Sequence, residues 1–131
     1  MGEVALGAIT SHHYSAAHDS PENKAFVAAF KKANNGLRPN FMAVASYDGM
    51  RLIYDALKKT NGSTDGEALI AAMKGLSWMS PRGPVSIDPE TRDIIQNIYI
   101  REVKNVDGEL YSVDLETIPN VKDPVKAAKK Q

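Results

Sequence analysis

The sequence predicts an α/β fold in which parallel strand–helix units are followed by a short antiparallel hairpin. An apolar run at residues 41–45 has the length of a buried strand, and from Met50 onward apolar residues recur at helical spacing. A strand and a helix are predicted before this unit as well, so we expect two parallel strands joined by a right-handed crossover. Farther on, Asp107-Gly108 separates two strand-forming runs, and Asp-Gly is a frequent hairpin turn.

The first strand–helix unit is predicted over residues 4–36. Residues 4–10 are the first predicted strand, and a polar loop follows it. Ser20-Pro21 is a strong helix start, because serine is a good N-cap and proline suits the first helical position. The same helix is predicted to end at Asn35-Gly36, where the chain can adopt a left-handed conformation.

The second unit supplies the first candidates for contact with a small molecule. The strand at residues 41–45 is predicted to lead directly into a helix, with Ser46 as its N-cap and Asp48 in its first turn. In open α/β sheets, ligands bind beyond the carboxyl ends of the strands, next to such helix starts. Ser46, Tyr47 and Asp48 are therefore candidate ligand contacts. The alternative is that Tyr47 only packs beneath the helix and Asp48 only complements its dipole.

The sequence pattern of the second half of the chain predicts one more helix and then antiparallel strands. Thr64 and Glu67 fit a capping box that opens a third helix, and Asn61-Gly62 before it closes the second. The longest predicted strand covers residues 94–103, and residues 109–115 return as its partner. The lysine-rich tail that begins near Pro119 is expected to be frayed or irregular.

The composition argues against several classes of function. Sixteen Lys and Arg balance sixteen Asp and Glu, whereas a nucleic-acid partner requires a basic excess on one face. The chain contains no cysteine, which excludes disulfides and thiol catalysis. No apolar run is long enough for a membrane span, and the N-terminus does not resemble a signal peptide. We expect either a cytoplasmic protein or a chain that begins inside a longer sequence.

The three histidines, His12, His13 and His18, lie close together in the sequence and suggest two kinds of chemistry. A metal site requires ligands at a suitable spacing, but adjacent histidines project in different directions. A hydrolase could use the serine, histidine and aspartate within residues 11–20, but the strained Gly-x-Ser-x-Gly setting of a nucleophile is absent. We therefore expect a solvated loop, with no metal, no cofactor and no catalytic residue.

Several motifs occur in a fixed order along the chain. They lie at residues 45–50, 62–66, 82–88, 98–100 and 107–108. Each is weak alone, but the ordered set over residues 6–121 resembles the periplasmic solute-binding proteins of branched-chain amino-acid (Leu/Ile/Val-type) ABC transporters. The resemblance covers the C-terminal third of that family, which implies part of a type I periplasmic-binding-protein lobe.

Proteins of this family have two α/β lobes joined by three crossing strands, with the ligand in the cleft. The resemblance therefore implies that the whole chain, residues 1–131, is the C-terminal part of such a two-lobed domain. Its implied parts are a hinge-proximal segment at 1–20, a lobe portion at 21–93, the last crossing and hairpin at 94–116, and a tail at 117–131. The implied hinge-proximal residues are Ser11, His12 and Tyr14, and the implied ligand-binding residues are Met42, Ser46, Tyr47 and Asp48.

The resemblance also implies a function. We expect the extracytoplasmic solute-binding component of an ABC importer, which binds a branched-chain amino acid or a similar small solute by lobe closure and delivers it to a membrane permease. The implied location is the periplasm, and no enzymatic activity is expected. Two alternatives stay open: a ligand-sensing module of a receptor or regulator with the same fold, and a small hydrolase that uses the histidine loop.

The missing part of the fold leads to two further expectations about the chain by itself. The strand edges at residues 4–10 and 41–45, and the apolar helix faces, would lack their partners and could pair with a second copy as a two-fold dimer. The chain alone would also bind no amino acid with appreciable affinity, because the family's main recognition groups lie in the N-terminal portion.

Overall fold

A computed structural model describes residues 2–128, and a five-stranded antiparallel sheet lies at its centre. In chain order the elements are a 3-10 helix (Glu3–Ala5), β1 (Ile9–His12), α1 (Pro21–Ala33), α2 (Phe41–Lys59), α3 (Gly66–Met73), β2 (Ser77–Ser80), β3 (Gly83–Ile87), β4 (Ile94–Val106), β5 (Glu109–Val121) and α4 (Pro124–Ala128). The predicted α/β class with an open sheet is confirmed.

Strand β4 organises the sheet, because three other strands pair with it. β1 pairs with residues 99–102 of β4, β3 pairs with residues 94–96, and β5 pairs with almost its whole length. β2 completes the sheet beside β3. Every strand pair within residues 2–128 is antiparallel, so the predicted parallel pair with a right-handed crossover is wrong. The reason is that the second predicted strand is not a strand.

The apolar run at residues 41–45 forms the beginning of a helix. α2 is continuous from Phe41, and the Asn40 side chain is its N-cap, accepting hydrogen bonds from the N–H groups of Met42 and Ala43 at 3.0 and 3.1 Å. Ser46 lies inside this helix on its exposed side, so the predicted N-cap at Ser46 is wrong. Periodicity does not distinguish a strand from a helix in so short an apolar run. Asparagine is as good an N-cap as serine, so Asn40 is as suitable a helix start as Ser46.

The N-terminal strand is shorter than predicted. Residues 4–10 were expected to form it, but β1 begins only at Ile9, and the chain before it contains the 3-10 helix. Gly7 separates the two elements with a φ of 79°, a conformation that a strand does not use. The regular pairing with β4 therefore starts at Ile9, while Gly7 and Ala8 make single backbone hydrogen bonds with Val103 at 2.9 and 3.0 Å.

The third helix and the C-terminal strand also begin or end at residues other than those predicted. Asp65, not Thr64, is the N-cap of α3, and its carboxylate accepts a hydrogen bond from the Ala68 N–H at 2.9 Å. β5 continues past residue 115, because its pairing with β4 is maintained up to Val121. The expected irregular tail is therefore ordered through α4, and the last three residues, 129–131, lie outside the described part of the chain.

The local start and stop signals elsewhere are confirmed. The Ser20 hydroxyl caps α1 by accepting a hydrogen bond from the Asn23 N–H, with proline at the first helical position. The helix ends before Asn35-Gly36, whose φ values are 51° and 82°. The β4–β5 turn has the same pattern at Asp107-Gly108, with φ values of 51° and 85°.

The core lies where α1 and α2 pack against the loop that follows β1. Tyr14, Phe26 and Val44 form its buried cluster. Asn23 is also buried there, and its side chain accepts a hydrogen bond from the Tyr14 hydroxyl at 3.1 Å while donating to carbonyls of the loop, including that of His18 at 2.8 Å. This asparagine fixes the loop, because a buried amide is stable only when its hydrogen-bonding groups are satisfied.

The start of α2 can be tested by comparing two side-chain truncations. We expect Asn40→Ala to lower the free energy of unfolding by about 1 kcal/mol, because two N–H groups of the first turn lose their acceptor. Ser46→Ala should change it by less than about 0.5 kcal/mol, because Ser46 is an exposed residue inside the helix. Urea denaturation followed by circular dichroism measures both. A larger loss for Ser46→Ala would contradict the observed helix start.

Candidate functional site

Three aromatic side chains meet where β1 ends and α2 begins, and we call them the aromatic cluster: His12, His13 and Phe41. The two imidazoles stack with ring centroids 4.3 Å apart, and the Phe41 ring lies 5.0 Å from His12 and 6.1 Å from His13. Phe41 is 43% exposed, although it belongs to a class of side chain that is usually buried. The N-terminus of α2 thus presents an aromatic surface to solvent.

Both imidazoles of the aromatic cluster favour the neutral form. Burial lowers the pKa of His13 to about 4, with His12, Arg82 and Arg101 adding to the effect and Asp48 opposing it. Burial, and then Arg101, also lowers the pKa of His12. Near neutral pH each ring therefore carries one N–H donor and one nitrogen acceptor.

A cavity of about 390 Å³ lies beside the aromatic cluster. Its lining residues are His12, Tyr14, Ser15, Ala16, Arg38, Pro39, Asn40, Phe41, Arg101, Leu110, Tyr111 and Ser112. The Arg38 guanidinium lies 3.8 Å from the centre of the Tyr111 ring, donates to the Leu110 carbonyl at 2.6 Å and pairs with the Glu109 carboxylate at 3.3 Å. Arg101 donates to the Tyr14 carbonyl at 2.6 Å, while its buried Nε has no partner within residues 2–128. The lining thus contains two arginines and no acidic side chain.

Asp48 lies in the interior, and hydrogen bonds occupy both of its carboxylate oxygens. One oxygen accepts from Trp78 Nε1 at 3.0 Å, and the other accepts from Ser80 Oγ at 2.8 Å and Arg82 Nε at 2.9 Å. Asp48 and Arg82 form an ion pair in which both side chains are less than a tenth exposed. The prediction that Asp48 lies at the end of a strand, on an exposed or cleft-facing edge, is therefore wrong.

Arg82 extends this buried network to the centre of the sheet. Its Nη1 donates to Gln96 Oε1 on β4 at 2.9 Å, and its carbonyl accepts from the Tyr99 hydroxyl at 2.7 Å. Gly83, which follows it, has a φ of 94°, and a Cβ at that position would collide with the Tyr99 hydroxyl. The turn between β2 and β3 is thereby fixed to both α2 and β4.

The four predicted ligand-binding residues lie in three different places. Met42 and Ser46 are exposed on α2, about one turn apart. Tyr47 is half exposed, but its ring lies 4.9 Å from Phe26 of α1, so it faces a different groove from the aromatic cluster. The strand predicted to end beside Tyr47 is absent, so that part of its predicted placement is wrong. The remaining residue of this set, Asp48, is the interior group described above.

Of the predicted hinge-proximal residues, only His12 belongs to the aromatic cluster. Ser11 is exposed on β1, and the Tyr14 hydroxyl is used inside the core by its bond to Asn23. Sequence reasoning misses Phe41, because the pattern of residues 41–45 predicts a buried strand. The signal that could have identified it is Asn40, an N-cap residue that places Phe41 in the first turn of a helix.

Residues 2–128 contain neither a metal-binding cluster nor a membrane-spanning helix. No group of three or more His, Cys, Asp or Glu in this range could hold a metal ion. No helix in the same range is long and apolar enough to cross a membrane.

The sequence and the fold match proteins of known type. Residues 1–109 match the sequence profile described as periplasmic binding protein, and the chain belongs to that family. A Leu/Ile/Val-binding protein homolog 6 of Brucella abortus is 48% identical over 126 residues, which are 95% of this chain and 32% of that protein. The resemblance inferred from the sequence motifs is confirmed at the level of the family.

Solved structures of similar proteins include complexes with benzoic acids. A solute-binding protein of an ABC transporter from Rhodopseudomonas palustris BisB5, in complex with 3,4-dihydroxybenzoic acid, is 63% identical with a TM-score of 0.94 over 96% of this chain and 34% of that chain. A second one, from R. palustris HaA2 with p-hydroxybenzoic acid, is 48% identical with a TM-score of 0.86 over 99% and 35%. The chain thus spans about a third of the length of these relatives.

The structural role of Asp48 can be separated from that of an ordinary surface charge. We expect Asp48→Ala to lower the free energy of unfolding by about 3–5 kcal/mol, because it leaves Arg82 buried without its counter-ion. Asp55→Ala on the same helix is the control and should cost less than about 1 kcal/mol, because Asp55 pairs only with exposed Arg51 and Lys58. Fluorescence of Trp78, the single tryptophan, reports urea unfolding. Equal losses would contradict this role.

Proposed function

We propose that this chain is part of the extracytoplasmic solute-binding component of an ABC importer and that the solute is a small aromatic carboxylate of the hydroxybenzoate class. The observation that carries the proposal is the aromatic cluster at the N-terminus of α2, beside a cavity with two arginines. It is supported by relatives that are 63%, 48% and 44% identical and were solved with hydroxylated benzoic acids.

The chemistry of the site suits both ends of such a ligand. An exposed phenyl ring and two stacked imidazoles offer flat surfaces on which a benzoate ring packs favourably. Arginine guanidinium groups and a helix N-terminus both favour a carboxylate. The first turn of α2 contains no acidic residue that would compete for that position.

A branched-chain amino acid is the second candidate, and the name of the 48% identical Brucella relative favours it. Such a ligand carries an ammonium group, which requires an acidic side chain or several carbonyl acceptors. The cavity beside the aromatic cluster has two arginines and no Asp or Glu in its lining. This part of the site therefore favours an anionic ligand over a zwitterion.

The proposal also includes the two-lobed cleft, the hinge and the permease that the family resemblance implies. The ligand lies between two lobes, with residues 1–20 near the hinge, and lobe closure precedes delivery to a membrane permease in the periplasm. Met42 and Ser46, on the exposed side of α2, stay candidate contacts at the cleft, and so does Tyr47 at its edge. Asp48 acts indirectly in this proposal, because it holds α2 and therefore Phe41 in position.

The ligand class is tested in a hybrid protein in which this chain replaces the matching third of the R. palustris BisB5 relative. Isothermal titration calorimetry should show binding of 4-hydroxybenzoate and 3,4-dihydroxybenzoate, with leucine at least a hundredfold weaker. Phe41→Ala should weaken binding of the benzoates at least tenfold, which corresponds to about 1.4 kcal/mol of lost ring contact.

Tyr54→Ala is the matched control for this experiment. Tyr54 is an exposed aromatic residue on the same helix, more than three turns from Phe41, so its removal should leave the affinity unchanged. Tight binding of leucine with no binding of either benzoate would contradict the proposed ligand class. Equal effects of the two substitutions would contradict the assignment of Phe41 to the site.

Self-association of the chain by itself is a separate part of the proposal. The strand edge expected at residues 41–45 does not exist, but one face of α2 exposes Met42, Met50 and Ile53, which are 64%, 45% and 40% exposed. An apolar face of this kind favours a two-fold contact with a second copy. Light scattering at micromolar concentration should show a dimer, and Ile53→Lys should shift it to monomer. A Met79→Lys control on β2 should not, and a monomeric unsubstituted chain would contradict the proposal.

A further inference from the structure

We infer that His13 hydrogen-bonds to a ring hydroxyl of the aromatic ligand and thereby determines the preference for hydroxylated over unsubstituted benzoates. The inference rests on the proposed function, since it assigns a specificity-determining residue within the same site. The three histidines of the chain differ in what their ring nitrogens contact, and that difference selects His13.

His13 is the histidine whose polar atoms are free. Neither of its ring nitrogens makes a hydrogen bond within residues 2–128, and neither is among the fully buried polar atoms of that range that lack a partner, so each keeps some access to solvent. His18, in contrast, uses Nδ1 in a 2.6 Å contact with Asp114. His12 has its Nδ1 buried. Both nitrogens are therefore available to a ligand only in His13.

The position of the His13 ring is fixed although its nitrogens are free. The ring stacks on His12 at 4.3 Å and lies edge-on to Phe41 at 6.1 Å, with an interplanar angle of 85°. A side chain held by packing loses little conformational entropy when it binds a ligand. A benzoate ring that packs on Phe41 would present its substituents close to His13, because the two side chains are in contact.

A neutral imidazole suits a phenolic hydroxyl better than a charged one does. Burial and the neighbouring cations keep the pKa of His13 well below its usual range, so at neutral pH the ring has one donor and one acceptor. A phenol both donates and accepts hydrogen bonds and can satisfy either nitrogen. Unsubstituted benzoate offers nothing at that position, so a site arranged for a hydroxyl discriminates against it.

The test uses the hybrid protein described above and compares two ligands that differ by one hydroxyl. The unsubstituted hybrid should bind 4-hydroxybenzoate about tenfold more tightly than benzoate, as expected for one hydrogen bond. His13→Phe keeps an aromatic ring for stacking and removes both nitrogens. It should lower the affinity for 4-hydroxybenzoate about tenfold more than the affinity for benzoate, so that the preference disappears. Tyr54→Phe, which removes an exposed hydroxyl from α2, should preserve the preference.

The possible outcomes distinguish a failure of this inference from a failure of the proposed function. If the unsubstituted hybrid binds neither benzoate, the proposed function is wrong. If it prefers 4-hydroxybenzoate and His13→Phe keeps that preference, or weakens both ligands equally, the role of His13 is wrong. A second measurement does not depend on the variant's folding: NMR of the imidazole ¹⁵N signals in the unsubstituted hybrid should show a shift at His13 with 4-hydroxybenzoate and none with benzoate. Identical shifts with the two ligands would overturn the inference.

Discussion

The position of α2 depends on one buried ion pair, Asp48 with Arg82. An isolated charge in a protein interior is strongly unfavourable, and removal of one partner leaves the other uncompensated. Here both carboxylate oxygens of Asp48 accept hydrogen bonds, and the contacts of the pair reach β2 through Trp78 and Ser80 and β4 through Gln96. Phe41 lies about two helical turns before Asp48. The pair therefore fixes the exposed aromatic surface at the start of α2, although it lies inside the protein.

The sequence predicted those parts of the fold that depend on neighbouring residues. Ser20-Pro21 and Asp107-Gly108 act through the conformations and hydrogen bonds of their own segments, so they could be recognised without tertiary contacts. Sheet pairing is different, since β1 and β4 join residues that are far apart, such as Ile9 and Glu102. The identity of residues 41–45 as helix depends on the Asn40 cap together with packing of Val44 in the core.

The ambiguity between strand and helix at residues 41–45 also explains why the predicted site residues lie apart from one another. Ser46, Tyr47 and Asp48 were selected because a strand end beside a helix start is a common ligand site. Once residues 41–45 are helical, these residues move into the body of α2, where one faces solvent, one faces α1 and one faces the core. His12, for which the family resemblance implies a hinge-proximal position, belongs to the aromatic cluster. Its partner Phe41 could not be found, because its exposure follows from the helix start.

The charges around the aromatic cluster decide between ligands that the fold alone leaves open. A fold of this kind accommodates different solutes, so the ligand must be inferred from the site. Burial and nearby cations keep the two imidazoles neutral, and Arg38 and Arg101 line the adjoining cavity without an acidic residue. An incoming carboxylate would be attracted by both guanidinium groups, of which Arg38 also pairs with Glu109 at 3.3 Å, whereas an ammonium group would be repelled by them. The aromatic surface then favours a ring over a branched aliphatic chain, and the two preferences together describe an aromatic acid.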